Sequence, residues 1–334
     1  MGLESCEGGN SLKLIIQIPC FNEEAILQQT VADFPREIEG IDEIEYLVID
    51  DGSTDDTVAV ARKCGVHHIV AFKKNKGLAK AFVAGIDACL RLGADIIVNT
   101  DADNQYKGQD IVKLVRPILD SQADIVIGER PIDEIEHFSK QKKRFQHLGS
   151  FVVRLASGTK VADAPSGFRA YTREAAMRIN VMNEYTYTLE TIIQAGMNHT
   201  PIVAVPIRTN PETRKSRLFS SMWSYMKKSA VVIIRSFMMY KPLRFFSGLG
   251  LISIIAGMAI GIRFLVFYFN GDGDGHIQSL ILSAVLLMLG IQAIIAGLQA
   301  DIIAANRKIL EDVQYRVRKM EYEQSATNQS GKKS

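Results

Sequence analysis

The 334-residue chain has few cysteines, a single tryptophan and little net charge. Its four cysteines show no CxxC pairing and no metal-ligand spacing, which indicates ordinary thiols in a reduced, cytosolic domain rather than a disulfide framework or a zinc site. The formal net charge of +2 argues against a nucleic-acid-binding protein, because such a protein needs a strong basic field. Residues 1–12 lack a long apolar run, so we expect a disordered N-terminus and no signal peptide.

Short apolar runs alternate with helical patterns in the first part of the chain. The apolar runs predict five strands, at 13–20, 45–49, 67–72, 95–99 and 124–128. The helical patterns lie between and after these strands, over 23–34, from 56 onwards, over 77–92 and over 108–121. This alternation predicts an α/β domain over 13–212 that is Rossmann-like, with right-handed crossovers and a mostly parallel sheet.

Polar side chains gather where the predicted strands end. Open α/β sheets bind their ligands at the carboxyl ends of the strands, so these side chains mark the predicted site. They are Asn22, Glu23, Asp50, Asp51, Asp101, Asp103 and Arg130.

Two later segments, over 137–158 and 214–240, alternate basic residues with apolar and aromatic ones at helical spacing. Such helices lie in a membrane interface with the apolar face down and the basic side chains towards phosphates. The alternative is a pair of amphipathic helices packed on the sheet. We favour the interfacial interpretation, and assign 213–244 to interfacial and juxtamembrane helices, because two long apolar runs follow directly.

Those runs, 245–269 and 277–300, are each long enough to cross a hydrocarbon core of about 30 Å, with a buried soluble hairpin as the alternative. The loop between them carries acidic residues but no Lys or Arg, whereas both flanks are basic. The positive-inside rule therefore predicts that the α/β domain and both termini are cytoplasmic. Arg263, within the first run, either snorkels to the interface or faces a partner helix. The remaining residues, 301–334, predict an amphipathic cytoplasmic helix over 301–322 and then a disordered tail.

The fourth predicted strand runs into an acidic pair. Asp101 and Asp103 lie one strand period apart, so both side chains leave the same side of the backbone. Two carboxylates and the amide oxygen of Gln105 suit Mg²⁺ or Mn²⁺ and leave coordination positions for diphosphate oxygens. A metal there stabilises negative charge on a departing nucleoside diphosphate. Taken alone, the pair also fits a solvated loop or a helix N-cap.

Three further motifs follow strands. Residues 50–55 contain consecutive carboxylates and a glycine turn, which accept hydrogen bonds from a nucleobase or ribose, or cap the next helix. Residues 19–24 follow the first strand. Within 74–81, Lys76 suits a phosphate and Gly77 allows a close approach of the backbone.

Together with residues 166–171 (Ser-Gly-Phe-Arg-Ala-Tyr), these motifs resemble family 2 glycosyltransferases of the GT-A fold. More narrowly, they resemble polyprenyl-phosphate sugar synthases, which include dolichol-phosphate mannose synthase and bacterial undecaprenyl-phosphate glucosyltransferases. The resemblance spans 13–245, and the paired C-terminal runs suit the bacterial type. It therefore implies a multi-pass protein of a bacterial or archaeal plasma membrane. The order of five motifs is specific, whereas any single motif is not.

The resemblance implies roles for individual residues. The nucleotide-sugar pocket would contain Pro19, Asn22, Glu23, Asp50, Asp51, Lys76 and Asp101. The metal would be bound by Asp101, Asp103 and Gln105, with Asp103 among the catalytic residues. The acceptor phosphate would be bound by Arg130, Lys143, Arg144, Arg214 and Arg217, of which Arg130 lies at the reaction centre. Where the family carries a serine one turn after these basic residues, this chain has His147.

The basic residues favour a phosphate acceptor on chemical grounds. A phosphate monoester is largely ionised at neutral pH, because its second pKa is about 6, so it needs little help from a general base. It needs cations that screen its charge from an anionic donor. Asp163 lies where many family 2 enzymes place a base. We assign Asp163 a catalytic role, in positioning or in charge. An equal alternative is that its side chain only caps and orders the loop.

The leading hypothesis is an inverting, metal-dependent transfer of a hexose from UDP-glucose, GDP-mannose or a similar donor to polyprenyl phosphate on the cytoplasmic leaflet. A processive polysaccharide synthase is one alternative, but the Gln-x-x-Arg-Trp motif of that group does not surround Trp223. A catalytically inactive membrane scaffold is another, and the intact acidic residues and Arg130 argue against it. Paired spans and a helical tail suit a small homo-oligomer.

Overall fold

The computed structural model describes residues 11–131, 161–181, 187–211, 238–271 and 276–330, with isolated positions between 150 and 159 and between 231 and 235. Contacts group the chain into a larger unit, Met1–Ile233 with Gln314–Ser334, and a smaller unit, Ile234–Val313. The predicted interfacial helices, over 137–158 and 213–244, fall largely outside the described residues, as does the expected disorder of residues 1–10.

The larger unit is built on a seven-stranded sheet. In chain order its strands are β1 (Lys13–Cys20), β2 (Glu43–Asp50), β3 (His68–Ala71), β4 (Ile96–Asn99), β5 (Ile125–Glu129), β6 (Arg169–Thr172) and β7 (Ile202–Pro206). The spatial order is β3-β2-β1-β4-β6-β5-β7, and all pairings are parallel except the two that β6 makes, with β4 and β5. The mostly parallel sheet predicted from the sequence is confirmed.

Among the described residues up to 211, six α-helices connect or flank these strands. They are α1 (Leu27–Ala32), α2 (Thr57–Lys63), α3 (Leu78–Arg91), α4 (Ile111–Leu119), α5 (Arg173–Arg178) and α6 (Thr188–Met197). The helix predicted from residue 23 begins only at Leu27. The preceding residues are held in a turn, because the N–H groups of Asn22 and Glu23 donate to the hydroxyl oxygens of Ser53 and Thr57.

The core lies on both faces of the central strands. A central parallel strand is covered by helices on each face, so its sequence is a nearly continuous apolar run rather than an alternation of apolar and polar residues. Every residue of β1 after Lys13 is buried in this way. Burial of one such side chain, for example Ile16, stabilises the fold by about 1.5–3 kcal/mol. The three cysteines that the structure describes, Cys20, Cys64 and Cys89, are free thiols.

The topology brings one end of most strands to a common edge, called here the carboxyl edge. The carboxyl ends of β1, β2, β4, β5 and β7 lie there, because these strands run in the same direction. Since β6 is antiparallel, it starts at this edge, and its first residue, Arg169, pairs with Asn99 of β4 and Ile127 of β5. The turn before β6 therefore lies beside the loop that follows β4.

The smaller unit is formed by two long helices, α7 (Pro242–Phe269) and the part of α8 (Ile277–Ser330) up to Val313. Both helices are long and apolar enough to cross a membrane. The apolar runs predicted as spans lie within them, and apolar side chains such as Ile252 of α7 are 68% exposed. Exposed apolar surface of this kind suits lipid better than water.

Small residues allow α7 and α8 to pack closely. The hydroxyl of Ser253 donates to the carbonyl oxygen of Leu286 at 2.8 Å, and that of Ser283 donates to the carbonyl oxygen of Gly257 at 2.7 Å. Small residues and hydroxyl–carbonyl bonds are typical of helix contacts inside membranes. The guanidinium of Arg263 lies 5.6 Å from the ring centroid of Phe267, one turn further along its own helix.

The C-terminal part of α8 belongs to the larger unit and contacts α3 and α5. Arg318 donates to the carbonyl oxygens of Met177 and Ile179, which satisfies acceptors left open at the end of α5. The hydroxyl of Tyr322 donates to Asp87 of α3 at 2.7 Å. The helix extends to Ser330, where we expected a disordered tail, because no Gly or Pro interrupts residues 301–330.

Candidate active site

The motifs after β1 and β2 form one surface at the carboxyl edge. Asn22, at φ +57°, has the left-handed conformation that Asn tolerates better than most residues. Its N–H donates to Ser53 Oγ at 2.9 Å, and its Oδ1 accepts from the N–H of Thr54 at 2.8 Å. Asp50 accepts from the N–H of Ser53 at 3.2 Å. These bonds join the 19–24 and 50–55 motifs that the sequence placed in one nucleotide pocket.

Two other predicted pocket residues lie within this surface. Pro19 pairs with Ile49 at the ends of β1 and β2, one position before Asp50. Glu23 is buried, and its N–H donates to Thr57 Oγ1 at 2.8 Å. Both positions lie at the carboxyl edge as predicted, and their contact with a nucleotide stays a prediction.

Asp51 joins this surface to the start of α3. Its two carboxylate oxygens accept from the N–H groups of Lys76, at 2.7 Å, and Gly77, at 2.9 Å. Gly77 has φ +92° and Gly52 has φ +73°, conformations that favour glycine. Asp51 therefore holds the Lys76 loop in place, and the Lys76 ammonium lies 4.4 Å from the ring centroid of Phe72. Direct contact of Asp51 or Lys76 with a ligand stays a prediction.

The acidic loop after β4 is a tight turn. Asp103 accepts from the N–H of Gln105 at 3.1 Å, and the intervening Asn104 is left-handed, with φ +56°. The carbonyl oxygen of Ala102 accepts from the Thr30 hydroxyl at 3.0 Å. Asp101, Asp103 and Gln105 are all partly buried, so the three predicted metal ligands lie in one compact, ordered loop.

The electrostatic environment of Asp101 favours a bound cation. Burial and the nearby charge of Asp103 raise the pKa of Asp101 to about 7, although a hydrogen bond with Tyr106 opposes this shift. Two carboxylates forced together in this way are relieved when a divalent cation lies between them. The donor set thus fits Mg²⁺ or Mn²⁺, which bind hard oxygen ligands.

The small number of protein carboxylates at this loop also suits Mg²⁺ or Mn²⁺. Among the residues that the structure describes, no three His, Cys, Asp or Glu side chains form a metal-binding group. Mg²⁺ is commonly bound by one or two carboxylates, while substrate phosphates and water supply the remaining oxygens. Asp101 and Asp103 with the Gln105 amide oxygen match that pattern.

The turn before β6 closes against Asp101. The N–H of Gly167 donates to the hydroxyl oxygen of Tyr106 at 3.1 Å. A Cβ at Gly167 would lie only 2.8 and 2.9 Å from the two carboxylate oxygens of Asp101 and 3.1 Å from the hydroxyl of Tyr187. A glycine is therefore required here for the turn to approach the Asp101 carboxylate.

A buried chain of hydrogen bonds supports that turn from below. The amide nitrogen of Asn99 donates to the carbonyl oxygen of Gly167 and lies within hydrogen-bond distance of the Tyr187 hydroxyl, both at 2.8 Å. Gln17 of β1 donates to Asn99 Oδ1 at 2.9 Å. The side chains of Gln17, Asn99 and Tyr187 are completely buried. Three central elements are thus connected through one polar network directly beneath the acidic loop.

Arg130 and Asp163, two predicted catalytic residues, form an ion pair at the end of β5. The guanidinium Nε lies 2.7 Å from Asp163 Oδ2 and Nη2 lies 2.9 Å from Oδ1. Burial alone would lower the pKa of Arg130, but the Asp163 charge and the hydrogen bonds to it raise that pKa above its ordinary value. The charge of Asp101 acts on the pKa of Arg130 in the same direction, so the cation lies close to the acidic loop.

A second arginine, Arg169, is completely buried in the turn region. Its guanidinium donates to the carbonyl oxygens of Ala164, Ser166 and Thr188 and to the hydroxyl of Thr191, at 2.7 to 3.0 Å. It therefore ties the segment that carries Asp163 and Gly167 to the start of α6.

The remaining predicted site residues lie outside the part of the chain that the structure describes. They are Lys143, Arg144, Arg214 and Arg217, together with His147. Their contact with an acceptor phosphate stays a prediction.

Several side chains around the acidic loop were not predicted as site residues. They are Gln17, Asn99, Tyr106, Arg169 and Tyr187. Asn99 carries a usable signal, since it is a polar residue that ends an apolar strand two positions before Asp101. Arg169 lies in the 166–171 motif, which contributes to the family resemblance but for whose residues no individual role was predicted. Nothing in the local sequence of Tyr187 indicates a site, because its approach depends on the packing of α6.

Comparisons with known proteins identify the family and the fold of this chain. Residues 15–179 match the family described as glycosyl transferase family 2. An uncharacterized protein of Methanocaldococcus jannaschii is 35% identical over 60% of this chain and 82% of that relative. The UDP-N-acetylglucosamine–dolichyl-phosphate N-acetylglucosaminyltransferase of Methanococcus voltae is 31% identical, over 58% of this chain and 83% of the relative. The polyprenol monophosphomannose synthase of Mycolicibacterium smegmatis is 27% identical, over 58% and 76%.

A solved structure shares the fold. Glucosyl-3-phosphoglycerate synthase from Mycobacterium tuberculosis, crystallised with Mn²⁺, UDP and glucosyl-3-phosphoglycerate, superposes with a TM-score of 0.53. The match covers 68% of this chain and 79% of that one, at 19% sequence identity, so it supports the GT-A-like fold alone. The sequence matches establish the family as well as the fold. This chain belongs to glycosyl transferase family 2 and is a glycosyltransferase.

Proposed function

We propose that this glycosyltransferase moves a hexose from a nucleoside-diphosphate sugar to polyprenyl phosphate, with inversion at the anomeric carbon. The observation that carries the proposal is the placement of the Asp101–Asp103 loop beside the buried Arg130–Asp163 ion pair, at the carboxyl edge of the sheet. One side of that site suits a cation and the diphosphate of a donor, and the other supplies a fixed positive charge for a second anion.

The names of the relatives support the class of acceptor more than the identity of the sugar. The Methanococcus voltae relative is named for transfer of N-acetylglucosamine to dolichyl phosphate, and the Mycolicibacterium smegmatis relative for polyprenol monophosphomannose synthesis. Both names contain a polyprenyl-type phosphate, whereas the sugars differ. We therefore propose a lipid phosphate acceptor and leave the donor to experiment.

Asp101, Asp103 and Gln105 would hold a divalent metal, Mg²⁺ or Mn²⁺. When bound, such an ion stabilises negative charge on the departing nucleoside diphosphate. The chain itself orders the ligand loop through the Asp103–Gln105 bond and encloses Asp101 with the glycine turn at 167.

Arg130 would bind the acceptor phosphate and bring it towards the donor. In the transfer a phosphate oxygen forms a bond to the anomeric carbon while the bond from that carbon to the diphosphate oxygen breaks. The attacking phosphate is already ionised near neutral pH, so no side chain has to remove a proton. Asp163 would act as the residue that orients Arg130, rather than as a base, because its carboxylate is bound to the guanidinium.

The two apolar helices suggest that this reaction takes place at a membrane. We propose that the larger unit and both termini are cytoplasmic, because the basic flanks and the acidic loop follow the positive-inside rule. The lipid phosphate would then be used on the cytoplasmic leaflet. A small homo-oligomer is part of the same proposal.

The decisive experiment reconstitutes the full chain in liposomes that contain undecaprenyl phosphate. A panel of radiolabelled UDP- and GDP-sugars is supplied with Mg²⁺ or Mn²⁺, and label is measured in the lipid phase. We expect label from one donor, and none in liposomes without undecaprenyl phosphate or with D103A protein. Release of nucleoside diphosphate without lipid labelling would indicate another acceptor. If neither product forms with any donor, the proposed transfer is wrong.

A further inference from the structure

A short segment after β7 pairs with the acidic loop region. The N–H of Lys107 donates to the carbonyl oxygen of Arg208 at 3.1 Å, and the N–H of Asn210 donates to that of Gln105 at 2.9 Å. Between them, Tyr106 and Thr209 form an antiparallel bridge. Residues 208–210 therefore lie against the backbone that carries the predicted metal ligands, although about a hundred residues separate the two segments.

The side chain of Asn210 adds contacts that backbone pairing alone does not provide. Its amide nitrogen lies 3.0 Å from the carbonyl oxygen of Asn104, 3.3 Å from Asn104 Oδ1 and 3.3 Å from the carbonyl oxygen of Tyr106. A primary amide has two N–H groups, so it can bind oxygens on both sides of Gln105 at once.

These contacts involve Asn104, whose backbone conformation in the acidic loop depends on its surroundings. Asn104 is buried and left-handed, with φ +56°. Left-handed residues other than glycine persist where their surroundings hold them. The turn at Asn104 also decides where Asp103 and Gln105, on either side of it, point their ligand atoms.

The pairing segment is itself anchored at its other end. Asp110 accepts from the Arg208 N–H at 2.7 Å and from the guanidinium Nη2 at 2.6 Å. The Asp110 side chain is 1% exposed and that of Arg208 is 62% exposed, so a buried carboxylate fixes the backbone of an otherwise open segment. Asn210 therefore projects from a fixed support.

We propose that Asn210 is a positioning residue for the metal-binding loop, holding the turn at Asn104 so that Asp103 and Gln105 are ordered before the metal binds. This rests on the metal part of the proposed function and is independent of which lipid accepts the sugar. A loop ordered in advance binds its ion more tightly, because less conformational freedom is lost on binding.

The test compares N210A with T209A, a control at the neighbouring position, because Thr209 meets Tyr106 through a backbone bridge that T209A leaves in place. Binding of Mn²⁺ alone to the full chain in detergent is measured from the free-ion electron paramagnetic resonance signal. Amide hydrogen exchange of peptides covering 101–107 is measured on the metal-free protein. Thermal unfolding checks that each variant is folded.

We expect N210A to bind Mn²⁺ about 10-fold more weakly, the lower range seen when outer support of a metal site is removed. Exchange at 105–107 should be faster in N210A, whereas T209A should match the unmodified protein in both measurements. If N210A is too unstable, N210S, which keeps a small polar side chain, should give an intermediate result. Unchanged exchange and Mn²⁺ binding within twofold in N210A would overturn the proposal.

These measurements distinguish a failure of the proposed role of Asn210 from a failure of the proposed transfer reaction. If lipid transfer is absent but N210A loosens the loop, the acceptor is wrong and the role of Asn210 stands. If the unmodified protein does not bind Mn²⁺, the exchange comparison alone decides whether Asn210 orders the loop. In a working transfer assay, N210A should raise the Mn²⁺ concentration needed for half-maximal rate and leave the KM for the lipid unchanged.

Discussion

Arg130 and Asp163 face each other with two parallel hydrogen bonds, of 2.7 and 2.9 Å, between guanidinium and carboxylate. The backbone N–H of Arg130 adds a third, at 3.3 Å, to the same carboxylate. The Asp163 side chain is 0% exposed and that of Arg130 is 9% exposed. Fork-to-fork geometry fixes the plane of the guanidinium, so its charge is presented at one place beside the acidic loop.

Removing only Asp163 should damage both stability and transfer. The D163N variant leaves a buried guanidinium without its counter-charge, which costs about 3–5 kcal/mol in other buried pairs. Transfer should fall about 100-fold, because a reacting group displaced by about 1 Å costs that much. Thermal unfolding and initial rates measure the two effects.

The double variant R130Q/D163N separates the effect on stability from the effect on transfer. It carries no unpaired buried charge, so much of the lost stability should return, while transfer stays low because the phosphate-binding cation is missing. Recovery of transfer together with stability would show that the pair is purely structural.

Asp103 should be required for transfer and not for folding. We expect D103A to lower the transfer rate at least 100-fold, the order seen when charge stabilisation at a reacting centre is removed. Asp56 offers a matched control, since it is an exposed carboxylate at the same edge whose side chain caps no helix. D56N should keep normal transfer. Equal rates for D103A and the unmodified protein would exclude a metal role for Asp103.

Gly167 should tolerate no side chain. The methyl group of G167A would lie under 3.0 Å from both Asp101 carboxylate oxygens, so the carboxylate has to move. Because Asp101 is a short side chain in a packed loop, we expect about 10- to 100-fold slower transfer and a higher Mn²⁺ requirement. G248A, where an added Cβ meets nothing within 4 Å, is the control and should behave normally. A fully active G167A enzyme would contradict the assigned place of Asp101.

Asp110 should make stability depend on pH in a defined direction. Burial alone would raise the pKa of Asp110, but hydrogen bonds from Arg208 lower it below its ordinary value. A carboxylate with a lowered folded-state pKa stabilises the protein above its unfolded pKa, near 4, and this contribution is lost as pH falls through the folded pKa.

We therefore expect D110N to be less stable than the unmodified protein at pH 7, by about 1.5–3 kcal/mol for the lost charge-assisted bonds. The difference in Tm should shrink as the pH falls below about 4, the pKa of the unfolded carboxyl, towards the lower folded-state pKa of Asp110. Thermal unfolding between pH 3 and pH 7 measures it. A constant difference over that range would show that the ionised carboxylate is not responsible.

Tyr322 should stabilise the larger unit from the C-terminal helix. Its side chain is 3% exposed, and its hydroxyl donates to Asp87 of α3. Y322A should therefore lower the free energy of unfolding by about 3 kcal/mol, as for other buried aromatic side chains. M320A, on an exposed face of the same helix, should have little effect. If the two variants unfold at the same temperature, the helix end does not contribute to this unit.

Local signals were enough for much of the fold. The five strands predicted from apolar runs all appear, because a strand buried on both faces needs a continuous apolar run. Strands β6 and β7 were not predicted. The four residues of β6, Arg-Ala-Tyr-Thr, carry no strong apolar pattern, whereas β7, Ile202–Pro206, is a short apolar run that the prediction missed. The antiparallel direction of β6 follows from pairing with β4 and β5, which no local pattern encodes.

The sequence by itself determined the identity of the acidic loop, the order of the motifs, the apolar runs that suit a membrane and the family resemblance. Each of these depends on residues that are near one another in the chain. Only the tertiary structure showed that Gly167 encloses Asp101, that Asp163 binds Arg130 and that Asn210 supports the turn at Asn104. These partners are separated by 33 to 106 residues, and contacts over such separations arise from strand order and packing, which no local periodicity contains.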